Sequence, residues 1–354
     1  VHPLDVADLG DRVRKALEAF LGRQTATLDA IADDLRPASE TLTAFLLDGG
    51  KRLRPAFCYW GWRGAGGADT DAIVHAAACL ELLHACALIH DDVMDASDVR
   101  RGRPSVHRRF EKAHRDEGWH GDAEAYGRAA AILLGDLCLV WADQMLNDSG
   151  LDPAALQRGM HVFDAMRTEV MAGQYLDVLE TARGGGDVDR ALRVARFKSA
   201  KYTVERPLHL GAALAGASRA VTEAYTAYGI PLGEAFQLRD DVLGTFGDAA
   251  QVGKPVGDDL REGKRTVLIA LAERRADDRQ RATLHRLFGR KDLDLDGVTT
   301  LREVIAATGA LTEVERLVAD RATRALAAIH DAPIDAESKR VLERLAEAAV
   351  DRRL

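Results

Sequence analysis

The chain has 354 residues, enough for one large domain or two ordinary ones, and 48 basic against 56 acidic residues give it a net charge of −8. No excess of positive charge argues for a nucleic-acid partner. The four cysteines, Cys58, Cys79, Cys86 and Cys138, form no CxxC pair and read as free core thiols of a reducing compartment, which excludes a disulfide frame or zinc site.

Only 5% of residues are aromatic, alanine, leucine and arginine abound, and the composition predicts helices throughout. The N-terminus, VHPLDVADLGDRV, has neither a basic leader nor an apolar run, which predicts a soluble, cytoplasmic protein. Residues 6–35 alternate apolar and charged faces and stop before Pro37. SETLTAFLLD is a shorter helix ending at Gly49-Gly50, and another follows Pro55. Residues 70–97 form a long helix that becomes apolar nearly all round, as expected at the centre of a bundle. KAHRDEGWHGDAE, residues 112–124, reads as a polar surface excursion. Helices are then expected at 125–148, 154–182, 188–217 and 219–244, broken by NDSGLDP and ARGGGDVD. AAAILLGDLCLVWA carries Asp136 and is too short to span a bilayer, so no transmembrane segment is predicted. The glycine-rich, charged loop FGDAAQVGKPVGDDLREGKR follows, and smaller amphipathic helices complete the chain. The expectation is one all-α domain over 1–354, with a motif-bearing core at about 35–275 and C-terminal helices at 276–354.

Four aspartates crowd LIHDDVMDASDVRRG after an apolar flank. Carboxylates beside a hydrophobic wall need a cation or hydrogen bonds. Asp91 and Asp95 lie four apart on one helix face, with Asp92 between them. Their mutual repulsion is relieved by a positive charge, and hard oxygen ligands suit magnesium shared with a phosphate. Alone, DDxxD also describes a solvated acidic helix end capped by Arg100 and Arg101. A second acidic helix end, FQLRDDVLGTFGD, supplies Asp240 and Asp241, with Gln237 one turn before Asp241. Facing each other across a cavity, the two ends would clamp several magnesium ions.

Four basic clusters accompany them. GGKRLRP holds Lys51, Arg52 and Arg54 at a helix start, where backbone N–H groups favour anions. DVRRGRP holds Arg100 and Arg101, RFKSAKYT holds Lys198 and Lys201, and VGKPVGDDLREGKRT holds Lys254 and Lys264. Each alone can be an ordinary solvated cation; together they suit two polyanions, one held through metals and one directly, as two diphosphates would be. His84, two turns before Asp91, is either a donor to a diphosphate or a core histidine, and His90 reads as structural. His75, His107, His161 and His209 show no metal-ligand spacing.

GGKRLRP, ELLHACALIHDDVMDASDVRRGRP, GQYLD, KSAKYT, FQLRDD and GKPVGDDLREGKRT, in this order over residues 35–275, resemble the trans-isoprenyl diphosphate synthases, the polyprenyl synthetase family, in their geranylgeranyl diphosphate synthase-like form. The resemblance implies a single large all-α bundle around a deep central cavity, a homodimer, and up to three magnesium ions bound with the diphosphate. It implies that Asp91, Asp92 and Asp95 bind magnesium and the allylic diphosphate, and that Asp240 and Asp241 hold a further ion. Arg100, Lys198 and Lys254 match contacts to the allylic diphosphate; Lys51, Arg54, His84 and Arg101 match the isopentenyl diphosphate pocket; Gln174, Asp177 and Gln237 match positions near the metals and reacting carbons. Lys264 joins the substrate-binding set, and Ser199, Thr203 and the Gln237 carbonyl would stabilise the allylic cation. The sequence departs from the pattern at Gly244, where many members carry a third aspartate, and Asp248 could replace it only if the helix ran past two glycines.

The implied reaction joins an allylic diphosphate head to tail to isopentenyl diphosphate, and the cavity below the first motif sets product length. One turn before Asp91 stand Cys86 and Ala87, both small where short-chain members often place aromatics, which predicts geranylgeranyl diphosphate or a longer product. Leu83 and Cys79 are deeper candidates for the floor, and a farnesyl or longer-chain synthase is the alternative. Three rivals share parts of the pattern. A class I terpene cyclase needs no second diphosphate pocket, a histidine–aspartate phosphohydrolase leaves the second acidic motif unexplained, and a non-catalytic subunit tends to lose one acidic motif.

Overall fold

The computed structural model describes residues 8–184, 186–247 and 256–350, and the fold is all-α as expected. The first helices, α1 (Leu9–Asp29), α2 (Arg36–Leu47) and α3 (Leu53–Gly64), pack around α4 (Asp71–Met94). Ile73, Ala77, Leu80, Leu83 and Ile89 are all buried along α4, so its apolar circumference is matched by neighbours on every side. Its main neighbour is α6 (Ala123–Asn147). By length and composition both helices could cross a membrane; α4 is mostly buried, and α6 is less than half buried. The apolar run noted in the sequence is thus part of a helix longer than the run itself.

Between them the structure adds two elements that the sequence reading does not contain. Val99–Arg100 pairs antiparallel with Arg103–Pro104, and the two-residue turn places Arg101 (φ 53°) and Gly102 (φ 73°) in the left-handed region, as a primed hairpin turn requires. The segment expected to be a polar excursion is partly helical: α5 spans Val106–Asp116. Its buried face is His107, Phe110, Glu111 and His114, so a helical stripe made mostly of polar residues hid the periodicity.

Beyond lie α7 (Pro153–Arg183), α8 (Val188–Val194), α9 (Arg206–Ala215) and α10 (Arg219–Phe246). The helix expected over 188–217 is interrupted by an eleven-residue π-helix, Ala195–Glu205. The small helices α11 (Asp258–Glu262), α12 (Val267–Arg275), α13 (Asp278–Leu287), α14 (Leu295–Ala307), α15 (Ala310–His330) and α16 (Ala336–Val350) follow. Two apolar clusters form the core, and α10 enters both: Tyr225, Tyr228 and Leu232 pack into the larger, Ala235, Leu238 and Val242 into the smaller. The end of α10 therefore stands where the two clusters meet, opposite the end of α4.

Candidate active site

The first acidic motif sits where α4 stops. The N–H of Asp95 returns to the Asp91 carbonyl (2.8 Å), and Ala96 then leaves the helix with φ 54°. Asp91 accepts hydrogen bonds from Lys198 Nζ and Gln174 Nε2, both at 3.0 Å, and Lys198 also bonds Asp177 Oδ2 at 2.6 Å. Asp95 pairs with Lys264 Nζ at 3.1 Å, and that lysine also lies 3.1 Å from Glu262 and 3.7 Å from Asp259. Asp92 turns the other way. It is fully buried and its two oxygens accept from Arg100 Nε at 3.0 and 3.2 Å, with Arg100 Nη2 bonded to it as well. The hairpin turn delivers Arg100 to that position.

Burial raises the Asp91 carboxyl, but Lys198 and Lys264 overcome that effect and hold it far below the usual carboxylate range. At Asp95 burial prevails over the attraction of Lys264, and the negative charge of Asp91 adds to the rise. Burial alone would lower Lys198 and Lys264, yet their carboxylate partners hold both above the ordinary lysine value. These two lysines supply the positive charge beside the acids.

The second motif closes α10. Asp241 is buried, accepts from Gln237 Nε2 at 2.7 Å, and is pushed well above the carboxylate range by burial against that hydrogen bond, with Asp259 and Asp240 adding to the rise. Gly244 explains the missing third aspartate. A Cβ there would lie 2.8 Å from the Asp259 Cγ and closer still to its Oδ2, so the Asp259 carboxylate from α11 fills the space of a side chain at 244. Asp248 and Lys254 lie outside the described residues.

Two cavities meet between these helix ends. A polar one of about 420 Å³ is lined by Asp91, Asp177, Asp240, Asp241 and Asp259 and by Arg100, Arg101 and Lys264. An apolar one of about 500 Å³ runs along Leu83, Cys86 and Ala87 of α4, Met171, Tyr175 and Val178 of α7, and Phe236 of α10. His84, Leu88, Asp91, Lys198, Ser199, Gln237 and Asp240 line both. The acidic helix ends thus face one cavity rather than unrelated surfaces.

Other expected residues are placed differently. Lys51 is exposed and lines neither cavity. Arg54 lines the apolar cavity, donating to Thr203 Oγ1 at 2.9 Å and stacking 4.4 Å above the Tyr202 ring. Arg101 lines the polar cavity while donating to the Phe45 and Asp48 carbonyls at 3.4 and 3.1 Å. His84 Nδ1 faces the Tyr202 hydroxyl at 3.3 Å; burial, then Arg54 and Arg101, keep its pKa well below the histidine norm, so the ring is neutral. His90, on the lining of the apolar cavity, has its Nε2 3.0 Å from the Ile132 carbonyl, in a notch left by Gly135. Asp259, Glu262 and Tyr202 escaped the sequence reading. The first two stand in DDLREGK beside Lys264, where mixed charges look like a solvated loop; Tyr202 looks like an ordinary core aromatic.

The acidic side chains around the polar cavity offer hard oxygen donors, which suits magnesium, while His84 on the same lining has its Nδ1 3.3 Å from the Tyr202 hydroxyl. Among the described residues no three acidic, histidine or cysteine side chains converge on one point as a ready-made metal cage, so bound ions would share their coordination with substrate oxygens.

Residues 36–305 match the polyprenyl synthetase family model. A geranylgeranyl pyrophosphate synthase of Corynebacterium glutamicum, solved with isoprenyl diphosphate and magnesium, is 43% identical, with a TM-score of 0.96 over 99% of this chain and 100% of that one. A geranylfarnesyl diphosphate synthase of Aeropyrum pernix is 34% identical over 86% of this chain and 91% of its own length. A geranylgeranyl diphosphate synthase of Methanosarcina mazei is 33% identical over 82% of both. The chain belongs to the polyprenyl synthetase family, and it is a prenyltransferase of the isoprenyl diphosphate synthase type.

Proposed function

We propose that this prenyltransferase condenses isopentenyl diphosphate head to tail with an allylic diphosphate and releases geranylgeranyl diphosphate as its main product. The observation that carries the reading is the shared boundary of the two cavities: the residues that can hold a diphosphate also form the mouth of an apolar pocket that can hold its prenyl tail.

Magnesium, held by Asp91, Asp95, Asp240 and Asp259 together with diphosphate oxygens, would supply the positive charge that favours loss of the diphosphate. Asp92 contributes by fixing Arg100, and Asp241 by anchoring Gln237. Lys198 would stabilise the leaving group, because its bonds to Asp91 and Asp177 hold its ammonium at the boundary. Ser199 and Gln237 line the same boundary, and the hydroxyl of the one and the carbonyl of the other would present dipoles to the allylic cation. The apolar walls exclude water, which would otherwise capture that cation as an alcohol. Isopentenyl diphosphate is held by Arg101 and by neutral His84, whose Nδ1 lies 3.3 Å from the Tyr202 hydroxyl and which lines the polar cavity. Its double bond attacks the cation, and the departing diphosphate takes the proton lost from the adduct.

Short side chains at Cys86 and Ala87, with Leu83 as the deepest α4 residue on the apolar cavity, support a four-isoprene product. Homodimer formation is supported by α6, where Ile132, Leu133 and Val140 are 46, 65 and 62% exposed on a helix otherwise apolar enough for a core. A cytoplasmic location follows from the same reading. The test is incubation with magnesium, labelled isopentenyl diphosphate and each allylic primer in turn, with product length read by chromatography. Product released without isopentenyl diphosphate would mark a cyclase instead, and no turnover by the purified chain a subunit that needs a partner.

A further inference from the structure

The π-helix 195–205 carries Lys198, Ser199, Tyr202 and Thr203, and each of them lines a cavity. Hydrogen bonds there run five residues back, as from the Arg206 N–H to the Lys201 carbonyl, so residues five apart stack on one face. Lys198 and Thr203 are such a pair. In an α-helix they would stand about 140° apart, and one of them would leave the site.

A π-helix is wider than an α-helix, and its neighbours must yield room. They do so at three glycines. On α7, a Cβ at Gly173 would lie 2.6 Å from the Phe197 carbonyl carbon and 2.7 Å from the Lys198 Cα. On α10, a Cβ at Gly233 would lie 2.6 Å from the Ala200 carbonyl oxygen, and one at Gly229 would lie 2.7 Å from the Glu205 Cα. The atoms in the way are mainly backbone, so no rotamer change relieves the overlap. Gly159 on the same α7 is different, since a Cβ there meets only side-chain atoms, of Leu214 and Leu210.

We infer that Gly173, Gly229 and Gly233 are positioning residues: they cradle residues 195–205 in the π form, and that form turns the ionising lysine and the apolar wall of the pocket onto the site together. Gly173 sets the lysine, because its contact is the Lys198 backbone itself. Gly229 and Gly233 set Tyr202 and Thr203, because they touch the segment on either side of that pair. The inference rests on the prenyl-transfer reading for its kinetic signature and is independent of it for its structural one.

The experiment compares Gly173→Ala and Gly229→Ala with Gly61→Ala, which strains a backbone contact of equal closeness, against Leu208, away from both cavities. Amide hydrogen exchange of 195–205 should quicken at least tenfold in the first two and stay unchanged in Gly61→Ala, even where all three melt at the same lowered temperature. In Gly173→Ala, kcat should fall at least tenfold and the KM for the allylic diphosphate should rise, while the KM for isopentenyl diphosphate stays within twofold. Gly229→Ala, whose overlap is with Glu205 rather than with Lys198, should instead change product length. Should Gly173→Ala fail to fold, Gly229→Ala decides. Unchanged exchange in 195–205, or the same kinetic loss in Gly61→Ala, overturns the cradle. A wild-type protein that exchanges as expected but transfers no prenyl group overturns the functional reading and leaves the cradle standing.

Discussion

Replacing Ala87 by phenylalanine tests how product length is set. The side chain at 87 lies one helix turn, roughly 5.4 Å, below Asp91 on the wall of the apolar cavity. A cavity of about 150 Å³ holds one benzene ring. The new ring therefore takes about a third of the roughly 500 Å³ available, and it takes it near the mouth. The two turns from Asp91 down to Leu83 span roughly 12 Å, so a plug at the first turn halves the depth along α4. The product should shift from twenty carbons to ten or fifteen, while turnover with dimethylallyl diphosphate stays within about threefold, because no polar group of the site has moved. The assay is chromatography of labelled products from short and long primers, with farnesyl diphosphate expected to cease acting as a primer. An unchanged twenty-carbon product at normal turnover would refute the placement of the tail along α4 and point to the α7 wall at Met171 and Tyr175.

Gly244→Asp should abolish activity by colliding with Asp259, and Gly244→Asp/Asp259→Gly should restore at least a tenth of it; manganese affinity read by electron paramagnetic resonance should follow the same order, and a double variant no better than the single one removes Asp259 from the metal site. Lys264→Ala leaves Asp95, Asp259 and Glu262 facing one another and should cost about 3 kcal/mol in denaturant unfolding, with part of the loss returned by millimolar magnesium; stability equal to wild type would deny the pairing. His84 is neutral when folded and gains a proton when unfolded, so stability is retained above the unfolded pKa of about 6.5 and falls as pH drops below it, by at most ~1.4 kcal/mol per pH unit. His84→Gln should reduce that slope between pH 6.5 and 5, and an unchanged slope would assign it to other buried histidines such as His209.

The helices and both acidic ends were legible because they rest on local rules. Apolar periodicity announces α4 and α10, and aspartates four apart must share a face wherever the helix goes. The hairpin was also written locally, in a glycine after Arg101, but two-residue strands give too little pattern to notice. The π-helix was not legible at all, since its cause is the absence of side chains on other helices, at Gly173, Gly229 and Gly233. Asp92 illustrates a different limit. Sequence spacing sets its direction relative to Asp91, yet only the fold shows that Arg100 claims it. Gly244 looked like a lost ligand for the same reason: the carboxylate that fills its place is fifteen positions further along the chain.

In the proposed reaction, bond breaking would occur at the boundary between the two cavities. A carbon–oxygen bond that ionises needs charge stabilisation at the oxygen and a dry wall at the carbon, and the two needs conflict within a single polar or apolar pocket. Here Asp91, Lys198, Ser199, Gln237 and Asp240, with His84 and Leu88, are the residues common to both environments. They come from three elements, the end of α4, the π segment and the end of α10, and α10 itself passes from one apolar cluster to the other just before reaching the boundary. Lys198 is the one cation among them, and it is held by two carboxylates rather than one. A lysine shared in this way can turn part of its charge toward an arriving diphosphate while Asp91 keeps the Gln174 donor at 3.0 Å. Arginine at 198 would present a planar guanidinium in place of the compact ammonium that bonds Asp91 at 3.0 Å and Asp177 at 2.6 Å.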